Sequence, residues 1–372
     1  MNLESDQRRA PLYLLPKVDI SKPLSREILQ RLNLYAGVFC SLQDNPNTKL
    51  SVAITDSSRG PVNNREYANL KIIVAGGNKI TFFLGILRRS PDLRINPRTL
   101  IAGDPVYGFL SAVLMKIMKT HSSNIQIQFH GDTYSASTIH DFKSFFRFLI
   151  TRISFKFANS IRVVSNFQIE ELQPLARNDA LLVASPIPLD YKKIPTNPRE
   201  KRAGIGFIGR LHRERGISEF LSIILELRRR QVSDPIYIIG EGAEKSFLAS
   251  ELQKANLQDG VFFLGNLENE ELCTQYSKLK VILSCAPSEG YGLTLREGAL
   301  SGVQIVARNS LGSTAALRDF GPSIHLYASV QDAVNLVIKS LRVEDSPHSN
   351  RQQIISQKNR ELDSISAWVS TW

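Results

Sequence analysis

From residue 203 onward, short apolar runs alternate with stretches of helical periodicity. GIGFIG (204–209), PIYIIG (235–240), VFFLG (261–265), KVILSC (280–285) and QIVAR (304–308) are five or six residues long and rich in branched side chains. Continuous runs of that length predict strands buried on both faces. In 217–231, Ile217, Phe220, Leu221, Ile224 and Leu227 recur every three or four residues, with Arg228, Arg229 and Arg230 toward the end. That spacing predicts an amphipathic helix. Strands alternating with helices predict a parallel sheet covered on both faces.

The first half repeats this logic more loosely. LSVAIT (50–55), LKIIVA (70–75), TLIAG (99–103), NIQIQF (124–129) and SIRVV (160–164) are its strand candidates. The fold class is therefore α/β, with two tandem Rossmann-like, doubly wound domains. Four prolines in 185–204 interrupt both patterns, which sets the expected boundary. The first domain is expected over 1–190 and the second over 191–348. A helical tail over 349–372, ending in Trp368 and Trp372, is expected to pack back on the body. In such sheets ligands bind beyond the carboxyl ends of the strands, so a cleft between the domains is the expected site.

One segment admits two packings. KSFFRFLITRISFKFANSIR (143–162) mixes Lys143, Arg147, Arg152 and Lys156 with Phe145, Phe146, Phe148, Phe155 and Phe157. Such a helix could lie on an anionic membrane surface. The favoured expectation is a domain helix with its aromatic face in the core and its basic face in water.

Composition narrows the class. A chain of 372 residues, 42% hydrophobic, is long enough for two cores. No apolar run reaches the length of a spanning helix, and the first residues lack the charged-then-apolar order of a secretory signal. Cys40, Cys273 and Cys285 are odd in number and far apart, which suits a reducing cytoplasm better than a disulfide framework. Of the net charge of +11, residues 1–190 carry +8, from 23 Lys+Arg against 15 Asp+Glu. An anionic surface or substrate near the first half would account for this, as would solubility alone.

The densest chemistry lies in SEGYGLTLREGALSG (288–302). Glu289 and Glu297 stand eight positions apart around a Gly-Tyr-Gly turn, just after the strand candidate 280–285. Gly290 and Gly292 permit a tight turn with exposed amides, and a helical pattern starts at Leu293. An acidic loop beside a helix N-terminus suits a ligand with phosphates on one side and hydroxyls on the other, as in a sugar nucleotide. After 204–209 comes GRLHRERG (209–216), where Arg210 and Arg215 can face a diphosphate. No Asp-x-Asp motif follows an apolar strand, so the arginines are given that task and no metal is expected. His130, in QFHGD (128–132), sits at a strand's carboxyl end and is a further candidate.

With these residues laid out, the chain resembles the retaining glycosyltransferases of family 4, the group 1 enzymes with a GT-B fold. The likeness runs through GRLHRERG, IIGEG (238–242), VFFLGNL (261–267), EELCTQY (270–276) and 288–302. More weakly it includes IAGDPVYG (101–108), QFHGD, IRVVS (161–165) and SPIPLD (185–190). The resemblance implies that Glu297 holds the ribose and that Glu289 contacts the donor sugar. It implies that Arg210, Arg215 and the backbone of Gly290, Tyr291, Gly292 and Leu293 meet the diphosphate and sugar. Gly265 and Asn266 would face the base, and His130 would approach the donor sugar. Three positions depart from the pattern: Arg215 stands where lysine is usual, Gln304 replaces a proline, and no glycine-rich acceptor loop is recognisable near the start. Gly76-Gly77 lies one strand too late for that loop.

The expected activity is transfer of a sugar from a nucleoside diphosphate donor to a glycan or lipid-linked glycan acceptor, with retention and without a cofactor. Envelope or extracellular polysaccharide synthesis is the expected setting, in the cytoplasm or at the inner face of the membrane. A sugar-nucleotide epimerase, or a non-catalytic protein binding nucleotide or a polyanion, is the alternative. No nucleic-acid motif is recognised, and nucleic acid is not expected as a partner.

Overall fold

The computed structural model describes residues 10–19, 26–43, 48–55, 57, 65–88, 97–119, 123–130, 139, 141–195, 202–344 and 351–372. The chain divides into two compact units, Met1–Pro186 with Glu361–Trp372, and Ile187–Arg360.

The first unit runs β1 (Leu12–Asp19), α1 (Arg26–Ser41), β2 (Leu50–Thr55), β3 (Arg65–Glu66), β4 (Leu70–Gly76), α2 (Lys79–Arg88), β5 (Thr99–Ala102), α3 (Tyr107–Lys119), β6 (Asn124–Gln128), α4 (Phe142–Phe157), β7 (Ser160–Val163), α5 (Asn166–Leu172) and β8 (Leu181–Ala184). The strands form one sheet in the order β3-β4-β2-β1-β5-β6-β7-β8. All its pairings are parallel except that of the two-residue β3 with β4. β2 and β5 are buried along their whole length, as expected of strands covered on both faces.

The central strand β1 was not legible in the sequence. Pro16 and Lys17 interrupt its run, and a proline argues against a central strand. The structure accommodates them by pairing Leu12, Tyr13 and Leu14 with both neighbours and letting the register with β2 slip between Leu14 and Asp19. Because β1 precedes the strands foreseen from the pattern, Gly76-Gly77 falls even later in the order than the sequence suggested.

The second unit runs β9 (Ile205–Ile208), α6 (Ile217–Arg229), β10 (Ile236–Ile239), α7 (Lys245–Lys254), β11 (Val261–Gly265), α8 (Asn269–Lys278), β12 (Val281–Ser284), α9 (Leu293–Leu300), β13 (Gln304–Arg308), α10 (Leu311–Phe320), β14 (Ile324–Tyr327) and α11 (Val330–Leu341), followed by α12 (Arg351–Val369). Its six strands are parallel, in the order β11-β10-β9-β12-β13-β14. The connections from β9 proceed to one side through β10 and β11, then to the other through β12, β13 and β14. The order therefore reverses between β9 and β12, and a crevice opens above that point in sheets of this kind.

The end of α12 belongs to the first unit. Ile365, Trp368, Val369 and Trp372 join a core that includes Tyr35, Phe39, Leu50 and Ile72. The indole N–H groups of Trp368 and Trp372 both donate to Gln126 Oε1, at 2.7 and 2.9 Å. Gln126 Nε2 in turn donates to Ser160 Oγ and Thr371 Oγ1. Beside this network the fully buried Arg162 stacks on Trp368, 4.2 Å from the ring centre. It donates to Gln128 Oε1 and to the carbonyls of Ser185 and Pro186. One guanidinium thus holds both the place where the chain leaves this unit and the helix by which it returns. Hydrogen bonds on all sides are what let such a charge stay buried.

α4 departs from the packing expected of it. Thr151, Ser154 and Phe155 face the protein, with the Phe155 ring 5.3 Å edge-on from Phe129. Phe142, Phe145, Phe146, Leu149, Ile153 and Phe157 are exposed. Periodicity alone defines the apolar stripe of a helix and leaves open which side meets the body. Here the narrow seat against β6 takes small polar residues and a single ring.

Candidate functional site

The site is built where the strand order reverses. β9 ends at Ile208 and leads into a 3-10 turn, Arg213–Arg215, closed by Gly216 at φ 69°. A Cβ at Gly216 would stand 2.0 Å from the carbonyl oxygen of Cys285, in the loop leaving β12. Glycine is therefore what lets the two loops touch. Gly312, at the start of α10, donates its N–H to the Glu289 carbonyl at 2.8 Å. A Cβ there would lie 2.4 Å from the same oxygen. The Glu289 loop is thus seated from two sides.

Within this frame Arg215 Nη1 donates to Glu289 Oε2 at 2.7 Å. Glu289 Oε1 accepts from the Gly292 N–H at 3.2 Å. Gly292, at φ 75°, is the N-cap of α9 and supplies no side-chain cap. A carboxylate and a guanidinium therefore meet beside the positive end of a helix dipole. A small pocket of about 20 Å³ lies among Ile208, Arg215, Ser284, Ala286, Glu289 and Thr294, at the carboxyl ends of β9 and β12. Cys285 is buried nearby, and burial pushes its thiol up to about 12, which makes it a packing residue and not a nucleophile.

Glu297 lies one turn into α9 and is buried. Tyr276 Oη donates to its Oε2 at 2.9 Å, and Lys193 Nζ stands 3.8 Å from its Oε1. Burial, followed by the charge of Glu297, raises the Tyr276 pKa well above the usual phenol value, so the hydroxyl remains a neutral donor. Lys193 comes from a 3-10 turn, Tyr191–Lys193, whose cap Asp190 accepts from Lys192 N and from Asn269 Nδ2. The buried Arg202 donates to the carbonyls of Tyr276, Leu279 and Ser301, tying together the ends of α8 and α9.

The other candidates fall in different places. Arg210 is exposed and paired with Glu214 at 2.6 Å, apart from the Arg215–Glu289 pair. Gly265 ends β11 at φ 68° with its carbonyl bonded to Gly240 N, and Asn266 beside it is exposed. Gly290 is half-buried and Leu293 packs near Leu300. The Tyr291 ring turns inward beneath the buried Arg296, whose guanidinium carbon is 4.0 Å from the ring centre. Tyr291 can thus offer a ligand only its backbone.

His130 follows β6 in the first unit, with an exposed side chain; Gly131 and Asp132 of the same motif lie outside the described residues. The surrounding protein, then the positive charges of Arg162 and Arg31, lower its pKa from the ordinary histidine value. Solvent reaches the ring, so charge repulsion is the cause that persists. Either way the imidazole is neutral at pH 7.

Sequence reasoning missed Lys193, Tyr276 and Arg296 as members of this region. Arg296 carried a signal, because a cation between Leu295 and Glu297 interrupts the apolar face of the helix. Lys193 carried none, since a lysine after a proline-rich stretch reads as solvated.

Two parallel α/β units, the second with an acidic loop at its switch point, define a GT-B fold. The crystal structure of Anabaena Alr3699/HepE in complex with UDP matches over 97% of this chain and 98% of that one, at a TM-score of 0.69 and 14% identity. Sucrose-phosphate synthase from Thermosynechococcus elongatus matches over 98% of this chain and 94% of that one, at 0.66 and 15%. Identities this low speak to the fold alone.

Residues 191–361, a little under half of the chain, match the family model described as glycosyl transferases group 1. The uncharacterized glycosyltransferase YqgM of Bacillus subtilis is 25% identical over 222 residues, which are 58% of this chain and 62% of that protein. The match thus spans less than two thirds of that relative. Over residues 191–361 the chain is similar to group 1 glycosyltransferases.

Proposed function

We propose that this chain is a retaining glycosyltransferase that moves a sugar from a nucleoside diphosphate donor to an acceptor hydroxyl. The observation that carries this reading is the Arg215–Glu289 pair at the β9/β12 switch point, beside the N-terminus of α9. In this reading Glu297 takes the ribose hydroxyls, while Gly265 and Asn266 face the base. Arg215, Arg210 and the amides of Gly290 to Leu293 receive the diphosphate, exchanging their present partners for phosphate oxygens. Glu289, released from Arg215, accepts hydrogen bonds from the donor sugar, and His130 serves the same sugar as a neutral imidazole.

The bond from the anomeric carbon to the phosphate oxygen breaks, and its electron pair leaves with the diphosphate. Fixed cations and amide dipoles stabilise that charge as it develops, so the reading requires no metal. The acceptor oxygen bonds to the same face of the sugar, and its proton passes to the departing phosphate oxygen. A lipid-linked glycan acceptor at the inner face of a membrane, in envelope or extracellular polysaccharide synthesis, would suit the basic first half.

Thermal melting with UDP, GDP, ADP and CMP tests the donor site. UDP comes first because the Anabaena structure is a UDP complex. A nucleotide at a hundred times its Kd adds about 2.7 kcal/mol, a shift of several degrees. We expect stabilisation by one nucleotide, lost in Glu297→Ala. No shift with any of them would overturn the donor reading, and an inverted anomeric configuration in product NMR spectra would overturn retention.

A further inference from the structure

We propose that α4 is a membrane-docking helix, built to lie in the surface of an anionic lipid bilayer. This inference stands on the helix itself and does not depend on the transferase reading. At about 100° per residue, Phe142, Phe145, Phe146, Leu149 and Ile153 fall on one side of α4. All of them are exposed, Phe142 by 81% and Phe146 by 48%. The residues that α4 buries against the protein, Thr151, Ser154 and Phe155, fall on the opposite side. The apolar stripe thus points outward, the reverse of the arrangement that a helix serving only the core would adopt. Isolated exposed phenylalanines are ordinary, but a continuous row from Phe142 to Ile153, about 18 Å long, marks an interaction surface.

Charge decides the occupant. Lys143 borders the stripe on one side and Arg152 on the other, while Arg147 lies beyond Lys143 toward the protein-facing side and Lys156 is tied to the Ala176 carbonyl. α4 itself contains no acidic residue, and the adjacent Asp141 is committed to the N-cap, where it accepts from Ser144 N at 2.7 Å. An apolar strip bordered by cations on both sides matches the layering of an anionic bilayer. Rings and aliphatic chains reach the acyl boundary while the longer cations extend sideways toward lipid phosphates. The excess of +8 in residues 1–190 adds attraction at longer range. No helix among the described residues is long and apolar enough to cross a membrane, and α4 as placed would lie in the surface plane.

The helix is also held firmly enough to present this face. Asp141 and Ser144 form a capping box at its start. At its other end Phe155 packs on Phe129, Lys156 Nζ donates to the Ala176 carbonyl at 3.0 Å, and the Ala158 N–H returns to Ser154 O. Insertion of the stripe therefore costs little additional ordering of the helix.

The test is flotation of the full-length protein with vesicles of phosphatidylcholine alone or with about 30% phosphatidylglycerol. Wild type should float with the anionic vesicles, and roughly tenfold less with neutral ones or in about 0.5 M salt. Phe146→Ser with Leu149→Ser, and separately Lys143→Gln with Arg152→Gln, should each reduce anionic binding by roughly tenfold or more. Melting midpoints should stay near wild type because these side chains are exposed. If the apolar pair fails to fold, the charge pair still decides the matter. Failure of wild type to bind anionic vesicles, or full binding by either folded variant, would overturn the proposal. A dimer in analytical ultracentrifugation that dissociates in the apolar variant, without vesicle binding, would instead make this face an interface between copies of the chain.

Discussion

Two carboxylates eight positions apart in one motif experience different surroundings here, and their partners suggest why. Glu289 is half-buried at the mouth of the switch point and bonded to a guanidinium and a backbone amide. Glu297 is buried and held by a neutral phenol, with a lysine 3.8 Å away. The first can exchange partners with a ligand, while the second is oriented by contacts that persist. Tyr276→Phe removes one hydrogen bond from a buried carboxylate, which costs about 1 to 3 kcal/mol. Calorimetric titration should show nucleotide affinity several-fold weaker in that variant. Because the Tyr276 pKa is raised, the hydroxyl stays protonated in the folded state, so its contribution to affinity should be constant between pH 7 and 9. An unfolded tyrosine ionises near pH 10, so this group favours unfolding only above that pH. Affinity unchanged in Tyr276→Phe would remove the phenol from the binding machinery.

At the scale of elements, the site depends on loops brought close by glycine. Gly216 combines a left-handed backbone with a contact that leaves no room for a side chain, 2.0 Å from the Cys285 oxygen. Gly216→Ala should therefore cost about 2 to 4 kcal/mol and displace Arg215 from Glu289. The check is a lowered melting midpoint together with loss of nucleotide stabilisation, whereas a variant melting like wild type would contradict the contact. α4 illustrates the opposite case. Its cap and period are local properties, legible in Asp141, Ser144 and the spacing of the phenylalanines. The side it turns to the body is decided by the shape of the seat beside Phe129, which no local pattern contains.

On the scale of the whole molecule, the chain leaves its first unit at Pro186 and returns to it at Glu361. Trp368 is fully buried, edge-on to Tyr35 and Trp372, stacked under Arg162 and bonded to Gln126. Trp368→Ala should cost about 3 to 5 kcal/mol and leave the Arg162 guanidinium without its stacking partner. Denaturant melts read by circular dichroism check this. A loss below about 1 kcal/mol would mean that the helix end contributes little to the unit.

The α/β class is legible in the chain alone, because buried parallel strands are short apolar runs that need no context to be recognised. β2, β4 to β7 and β9 to β13 all stand where those runs lie. The Glu289 loop and the Arg215 turn are legible there too, since glycine spacing and strand ends are local features. β1 required the sheet, because only pairing on both sides and a slip in register make a strand of a run broken by Pro16. The edge strands β8 and β14 are as long as β5 and β7 but only partly buried, so the signature of a strand covered on both faces does not mark them. Tertiary structure alone decided that Arg215 meets Glu289, that Lys193 approaches Glu297 across about a hundred residues of chain, and that the aromatic stripe of α4 faces outward. Each depends on which surfaces remain after the sheets have assembled, and chain periodicity carries no record of that.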